Sequence, residues 1–184
     1  KNNFNKYQLD QPDFLDIHNC FEVIRGFNYV ASHKERFDNN RDILSPNVID
    51  NVERGLKYSL ADVSWAHTMQ TKIYKSFRTF FNDYDVLICP AASVSPFPHD
   101  QLFIDEINGE KMPTYMRWLA LSYASTMAIP CAWALPCGLD HKEMPFGIQL
   151  IAPSGRDAQL SEIAKSLEII LMSNEETKRP IPKL

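Results

Sequence analysis

Glycine is scarce in this chain, six in 184 residues. No G-x-G-x-x-G fingerprint, no phosphate loop ending in Gly-Lys-Ser/Thr and no G-x-S-x-G elbow occurs. The backbone cradles for dinucleotides and triphosphates, and the commonest strained serine turn, are therefore excluded. An excess of one charge is also missing. Nineteen basic against twenty-three acidic residues leave a net charge of −4, and the charges are scattered. That is no footprint for a nucleic-acid backbone. No apolar run approaches the roughly 20 residues needed to cross a bilayer. Lys1-Asn2-Asn3-Phe4 is polar and is not followed by an apolar stretch, so no signal peptide is expected there. Four cysteines (Cys20, Cys89, Cys131 and Cys137) are too few for a disulfide scaffold. Each stands in an apolar context and reads as a buried free thiol in a reducing, cytoplasmic compartment. The chain starts without Met, and its first ten residues carry no strong pattern, as a piece of a longer protein would look.

What remains is an ordinary globular composition, 45% hydrophobic and 23% charged. A chain of this length buries about 70% of its unfolded surface as one domain. Phe14, Ile17, Phe21, Ile24, Phe27 and Val30 share a helical face, with Pro12-Asp13 suited to its first turn. Lys34 to Asp42 is charged and Asn-rich and reads as a solvated connection. Ser45-Pro46 opens a short helix that stops near Gly55. Ser59, with Asp62 three residues on, starts the longest periodic segment: Val63, Ala66, Gln70, Ile73, Phe77, Phe80 and Tyr84. Ala and Gln in that stripe favour a core helix over a coiled coil.

Val86 to Cys89 is a short apolar strand ending at Pro90. Residues 91–113 form a long loop holding Pro96, Pro98, Asn108-Gly109 and Pro113, and loops of that length are usually functional or disordered. Thr114 is placed to cap a helix from Tyr115 to Met127. Strands are predicted at Cys131–Leu135 and Phe146–Ile151, with a turn near Gly138-Leu139-Asp140, and a last helix runs to about Met172. The tail from Asn174 reads as loosely ordered. The tally is about five helices and three strands apolar on both faces, as inner strands of a helix-covered sheet are. Three such strands make an incomplete sheet. The fold class is α/β: part of a mixed β-sheet covered by helices, incomplete on its own.

The candidate chemistry is thin. Cys131 and Cys137 lack the spacing of zinc ligand pairs, and His141 and Glu143 fall in a solvated turn, so no metal is expected. Nothing nearby would activate Cys137 as a nucleophile. His99-Asp100 on the long loop reads as surface decoration. Trp118 and Trp133, as lone aromatics on a helix and a strand, default to core packing.

The second half resembles the amidase signature family. Tyr84-Asp85-Val86-Leu87-Ile88-Cys89-Pro90 is similar to its "YDVLLTPT" strand. Asn108-Gly109, Trp118-Leu119-Ala120-Leu121, Ile129-Pro130 and Leu135-Pro136-Cys137-Gly138-Leu139 follow in the family's order. Met144-Pro145-Phe146-Gly147-Ile148-Gln149-Leu150-Ile151 resembles "LPVGLQII", and Gly155-Arg156-Asp157 leads into the terminal helix. The likeness covers about residues 46–172, strongest over 84–172, with 1–45 a helical lead-in and 173–184 a tail of the same single domain. Ile129 stands where the family usually has Leu, and Ala91 where Thr is common.

The resemblance implies amide C–N hydrolysis by a Ser nucleophile, a bridging Ser and a Lys base. This chain has no Gly-Gly-Ser-Ser-Gly-Gly-like run, so no catalytic residue is carried over. The family implies that the loop after Pro90 and the helix over 115–127 wall the acyl pocket, with Trp118, Ser122, Ser125 and Thr126 as substrate-binding candidates. No cofactor is implied. The expected partners are the N-terminal catalytic portion of the same enzyme and a small-molecule amide. Neither nucleic acid nor membrane is expected, and a homo-oligomer is compatible with the pattern. The alternatives are one subunit of a glutamine-dependent amidotransferase, or a non-catalytic binding or scaffolding domain.

Overall fold

The first helix begins three residues later than its apolar pattern. A computed structural model describes residues 4, 6–128 and 130–181; Lys1–Asn3, Asn5, Ile129 and the last three residues of the tail lie outside the described residues. Leu15 adopts a positive φ of 51°, and its N–H bonds to the Asp13 carboxylate at 2.9 Å. The chain therefore turns over residues 13–16, and helix α1 spans Ile17–Asn39. It runs through most of the segment expected to be a solvated connection, because a charged surface with Lys34 paired to Asp38 one turn on is a good helix exterior. Its buried face is Ile17, Cys20, Val23 and Gly26, whereas Phe27 is exposed.

Gly26 marks the crossing with α2 (Pro46–Gly55). A Cβ on Gly55 would lie 2.2 Å from the Gly26 carbonyl oxygen, so that glycine permits contact between the two backbones rather than merely ending a helix. α3 spans Leu60–Phe80, and its predicted start is confirmed by a reciprocal capping box. The Asp62 N–H donates to the Ser59 Oγ at 3.2 Å, and the Ser59 N–H donates to the Asp62 carboxylate at 2.8 Å. Ala66, Ile73 and Phe77 form its buried stripe; Tyr84 lies beyond its end.

Three strands, β1 (Leu87–Pro90), β4 (Cys131–Leu139) and β5 (Pro145–Ala152), form an antiparallel sheet in the order β1-β5-β4. β4 and β5 are a hairpin, with a register shift between Pro136 and Leu139. The small β2 and β3 (Glu106–Ile107 and Glu110–Lys111) form a second hairpin inside the long loop. Asn108 and Gly109 both take positive φ there (52° and 83°), as a two-residue type I′ turn requires. After a 3₁₀ turn at Arg117–Leu119 come α4 (Ala120–Ala128) and, past the sheet, α5 (Asp157–Met172). Thr114 does not cap this helix: it is buried, and its Oγ1 has no partner among the described residues.

Among the described residues, two apolar clusters hold the chain. One joins α1, α3 and α4 through Ile17, Cys20, Val23, Ala66, Ile73, Phe77, Met127 and Ala128. The other seats α5 on the sheet through Leu135, Leu150, Ala152, Leu160, Ala164 and Leu167. A fully buried Ile such as Ile73 contributes about 1.5–3 kcal/mol by leaving water.

The expectation of strands buried on both faces fails for two of the three. β1 alternates half-buried and exposed residues, and Ala132, Trp133 and Ala134 of β4 are exposed. β1 and β4 are the edges of the sheet, each paired on one side only, and Ala132 and Ala134 lie on the face turned away from α5. Trp133, 44% exposed, is thus not a core residue. The tail also departs from expectation: Thr177 Oγ1 bonds to the Leu171 carbonyl at 2.9 Å, and Glu176 passes directly over Gly138.

Candidate functional site

The loop 91–113 is anchored at several points. At its root, the Ala91 N–H donates to the Gly147 carbonyl at 2.9 Å, extending the β1–β5 ladder by one residue. Ser95 bonds to the Asp140 carboxylate in the β4–β5 turn, and this bond is the main cause that holds the Asp140 carboxyl below its usual range. Further along, Phe97 meets the Trp118 ring edge-on with centroids 5.4 Å apart, and Phe103 meets Tyr115 at 6.3 Å. Aromatic pairs in this geometry add about 0.5–1.5 kcal/mol beyond area burial. The loop is therefore a fixed wall laid against the 3₁₀ turn and the start of α4.

The four candidate binding residues divide by helix face. Ser122 and Thr126, one turn apart, are both exposed on α4. Ser125 is buried, and its Oγ donates to the Ser122 carbonyl at 2.9 Å; Thr126 Oγ1 likewise donates to the Tyr123 carbonyl at 2.8 Å. With those protons held by their own helix, Ser125 and Thr126 present acceptor lone pairs rather than donors. Trp118 sits before α4, and its buried Nε1–H has no partner among the described residues, nor has Arg117 Nε beside it. The structure brings Ser122 and Thr126 together, Trp118 to the loop, and buries Ser125 between α4 and its packing partners beside them.

α4 is held to α1 by contacts that no pattern in the sequence signalled. His18 Nδ1 lies 2.5 Å from the Tyr123 hydroxyl. Phe21 stacks on the Tyr123 ring at 4.0 Å, and Arg117 pairs with the part-buried Glu22 at 2.9 Å. Burial, with the Arg117 charge nearby, lowers the His18 pKa, and burial pushes the Tyr123 phenol up to about 12. A neutral imidazole and a neutral phenol thus share this bond, the imidazole tautomer setting which of them donates.

A second unsignalled residue is Gln149, 8% exposed in the middle strand. Its Nε2 donates to the carbonyls of Pro90 and Leu121, both at 3.1 Å. One polar residue inside the run Phe146-Gly147-Ile148-Gln149-Leu150-Ile151 was the available signal, since a buried amide persists where it has partners.

The thiols fit packing roles. Burial raises all four thiol pKa values, Cys20 to about 11. Cys20 Sγ donates to the Ala66 carbonyl at 3.1 Å, and Cys131 Sγ to the Pro153 carbonyl at 3.3 Å. A thiol held protonated is a poor nucleophile. His99, Asp100, His141 and Glu143 are exposed. A cavity of about 80 Å³ lies between α3 and the strand ends, lined by Tyr74, Phe77, Arg78, Phe81, Ala128, Pro130, Pro153 and Ser154. It includes none of the four candidates, and small-molecule pockets are several times larger, about 300–1,000 Å³.

A family model described as Amidase matches residues 17–160. The chain belongs to the amidase family. The match begins at α1, well before the stretch in which the sequence resemblance is strong. Among curated proteins, the chain is 25% identical over 164 residues to a glutamyl-tRNA(Gln) amidotransferase subunit of Clostridium acetobutylicum, covering 89% of this chain and 31% of that protein. It is 25% identical over 134 residues to an acylamidase of Rhodococcus erythropolis, covering 73% of this chain and 28% of that one. A solved amidase structure superposes with a TM-score of 0.77 at 16% identity, over 85% of this chain and 36% of the other. The amidase fold is thereby shown, and the chain spans about a third of the length of these relatives.

Proposed function

We propose that this chain is the pocket-forming C-terminal portion of an amide hydrolase whose Ser nucleophile, bridging Ser and Lys base stand on residues outside 1–184. The observation that carries the reading is the amidase match over 17–160 in a chain covering 31% and 28% of two full relatives. Two features of the chain support it. Apolar strands with exposed edges, displaying Trp133, Ile88 and Leu139, suit burial against further protein. Buried donors on Arg117 and Trp118 without partners among the described residues each cost about 1–3 kcal/mol until another group accepts from them.

Acyl transfer needs a nucleophile, a base, oxyanion donors and a pocket that holds the amide in attack geometry. The chain's share is the last of these. Trp118 walls the pocket with the loop behind it, Ser122 and Thr126 offer polar points to the substrate, and Ser125 braces their helix. Four free thiols fit a reducing, cytoplasmic location. Among the described residues, no helix is long and apolar enough to cross a membrane.

The decisive experiment compares residues 1–184 with a protein that also carries the preceding amidase segment. The longer protein is expected to hydrolyse simple aryl or aliphatic amides, and residues 1–184 alone to hydrolyse none and to be poorly soluble. Robust turnover by residues 1–184 would refute the division of labour. The second reading, a component of a glutamine-dependent amidotransferase, is favoured by relatives that are glutamyl-tRNA(Gln) amidotransferase subunits. It predicts ammonia release from glutamine that depends on further subunits.

A further inference from the structure

The amide of Gln149 occupies the middle strand of the sheet, with Cys89 of β1 and Ala134 of β4 as its register partners. Both of its Nε2 hydrogens are committed, one to the Pro90 carbonyl and one to the Leu121 carbonyl, each at 3.1 Å. Backbone carbonyls only accept, so the amide can face them in one orientation, nitrogen first.

The two acceptors lie at informative places. Pro90 is the last residue of β1, and the 91–113 loop starts at the next residue. Leu121 is in the first turn of α4, immediately before Ser122. Pro90 brings no N–H to the ladder, so the loop root depends on the Ala91 to Gly147 bond and on the hold of Gln149 upon the Pro90 carbonyl. The Leu121 carbonyl also faces the amide of its own helix four residues on. The bond from Gln149 is thus additional to what the helix requires, which marks it as a tie between elements. A hydrophobic side chain would suit a buried strand position without needing any partner. The amide is explained by what it joins.

Resting on the reading of the 91–113 loop and α4 as pocket walls, we propose that Gln149 is a positioning residue for amide hydrolysis. Its amide sets the spacing between the loop root and the Ser122–Thr126 face of α4. It acts through those walls and touches neither substrate nor nucleophile. A displacement of about 1 Å in such a wall lowers the rate by on the order of 10²-fold.

The test uses the full-length protein with its amidase segment, and the variants Q149M and Q149E. Met keeps the length and removes both donors. The expected result is a fall in kcat/KM of about 10- to 100-fold, carried mainly by kcat. Amide hydrogen exchange should accelerate over 91–113 and 120–128 while the β4–β5 amides keep their protection. Glu at 149 carries no donor when ionised, and burial beside two carbonyl oxygens raises its pKa. Acidification should protonate it and restore one donated bond, so Q149E activity relative to the parent at the same pH should climb as pH falls. An ionised Glu at this buried position also destabilises the fold, and does so less as pH falls, so the ratio is read only where urea titration shows Q149E fully folded.

Three results would overturn the proposal: parental kcat/KM in Q149M, unchanged exchange over both segments, or a Q149E-to-parent ratio that stays flat with pH. An inactive parent would instead sink the pocket reading on which the proposal rests, so the two failures are distinguishable.

Discussion

Single residues in this chain act mainly through what they allow to come close. Gly55 is the clearest case, since a Cβ there would lie 2.2 Å from the Gly26 carbonyl and 2.7 Å from the Val30 side chain. A backbone oxygen cannot yield without moving a helix. Gly55→Ala is expected to destabilise the protein by about 1–3 kcal/mol through overpacking, seen as a lower urea midpoint at unchanged slope. Gly138 is similar, for its φ of 73° and the Glu176 carbonyl overhead leave no room for a side chain. The cysteines are the opposite case. Their thiols are pushed up by burial, and Cys131 points at a carbonyl, so Cys131→Ala and Cys137→Ala in the full enzyme should leave turnover intact. Loss of turnover at retained stability would reveal a nucleophile.

At the scale of elements, the seam between α1 and α4 carries a titratable contact. His18 has its pKa lowered by burial and by Arg117, so the folded state binds fewer protons there than the unfolded chain. The stabilisation is complete above the ordinary histidine range and is lost as pH falls through the depressed folded value. Urea midpoints should therefore drop on acidification below about pH 6.5, and His18→Gln should flatten that part of the profile. An unaltered profile in the variant would remove His18 as the cause. The α3 capping box shows a local signal that survives folding unchanged, because Ser59 and Asp62 bond to each other's backbone within one turn. Helix α1 shows the reverse. Its apolar pattern points to a face through Phe27, but the close crossing at Gly26 rotates burial onto Cys20, Val23 and Gly26.

At the scale of the whole molecule, the packing falls into two parts. The two apolar clusters are separate, one among helices and one under α5, and the loop root and α4 are tied to the sheet by Ala91 and Gln149. Exposed Trp133, Ile88 and Leu139 suit a surface completed by other residues, and the proposed placement of the nucleophile outside residues 1–184 is why that chain alone is expected to be inactive. Of the candidate site, Trp118, Ser122, Ser125 and Thr126 were named through the family resemblance, which points to the helix over 115–127; the structure sets Trp118 in the 3₁₀ turn and the other three on α4. Gln149, His18 and Glu22 were not legible in the sequence, since their partners lie 28, 105 and 95 residues away along it.

The sequence by itself determined the main helices, the three sheet strands and the family: a 3.6-residue periodicity, short apolar runs, a capping box and an ordered series of short motifs are all local, and local interactions need no knowledge of neighbours. Tertiary structure alone decided which faces are buried, that the sheet's outer strands stay open, and that one glutamine amide ties the loop root to a helix. Those outcomes depend on where distant segments approach, and that approach is set by packing between faces whose pairing no single stretch of chain encodes.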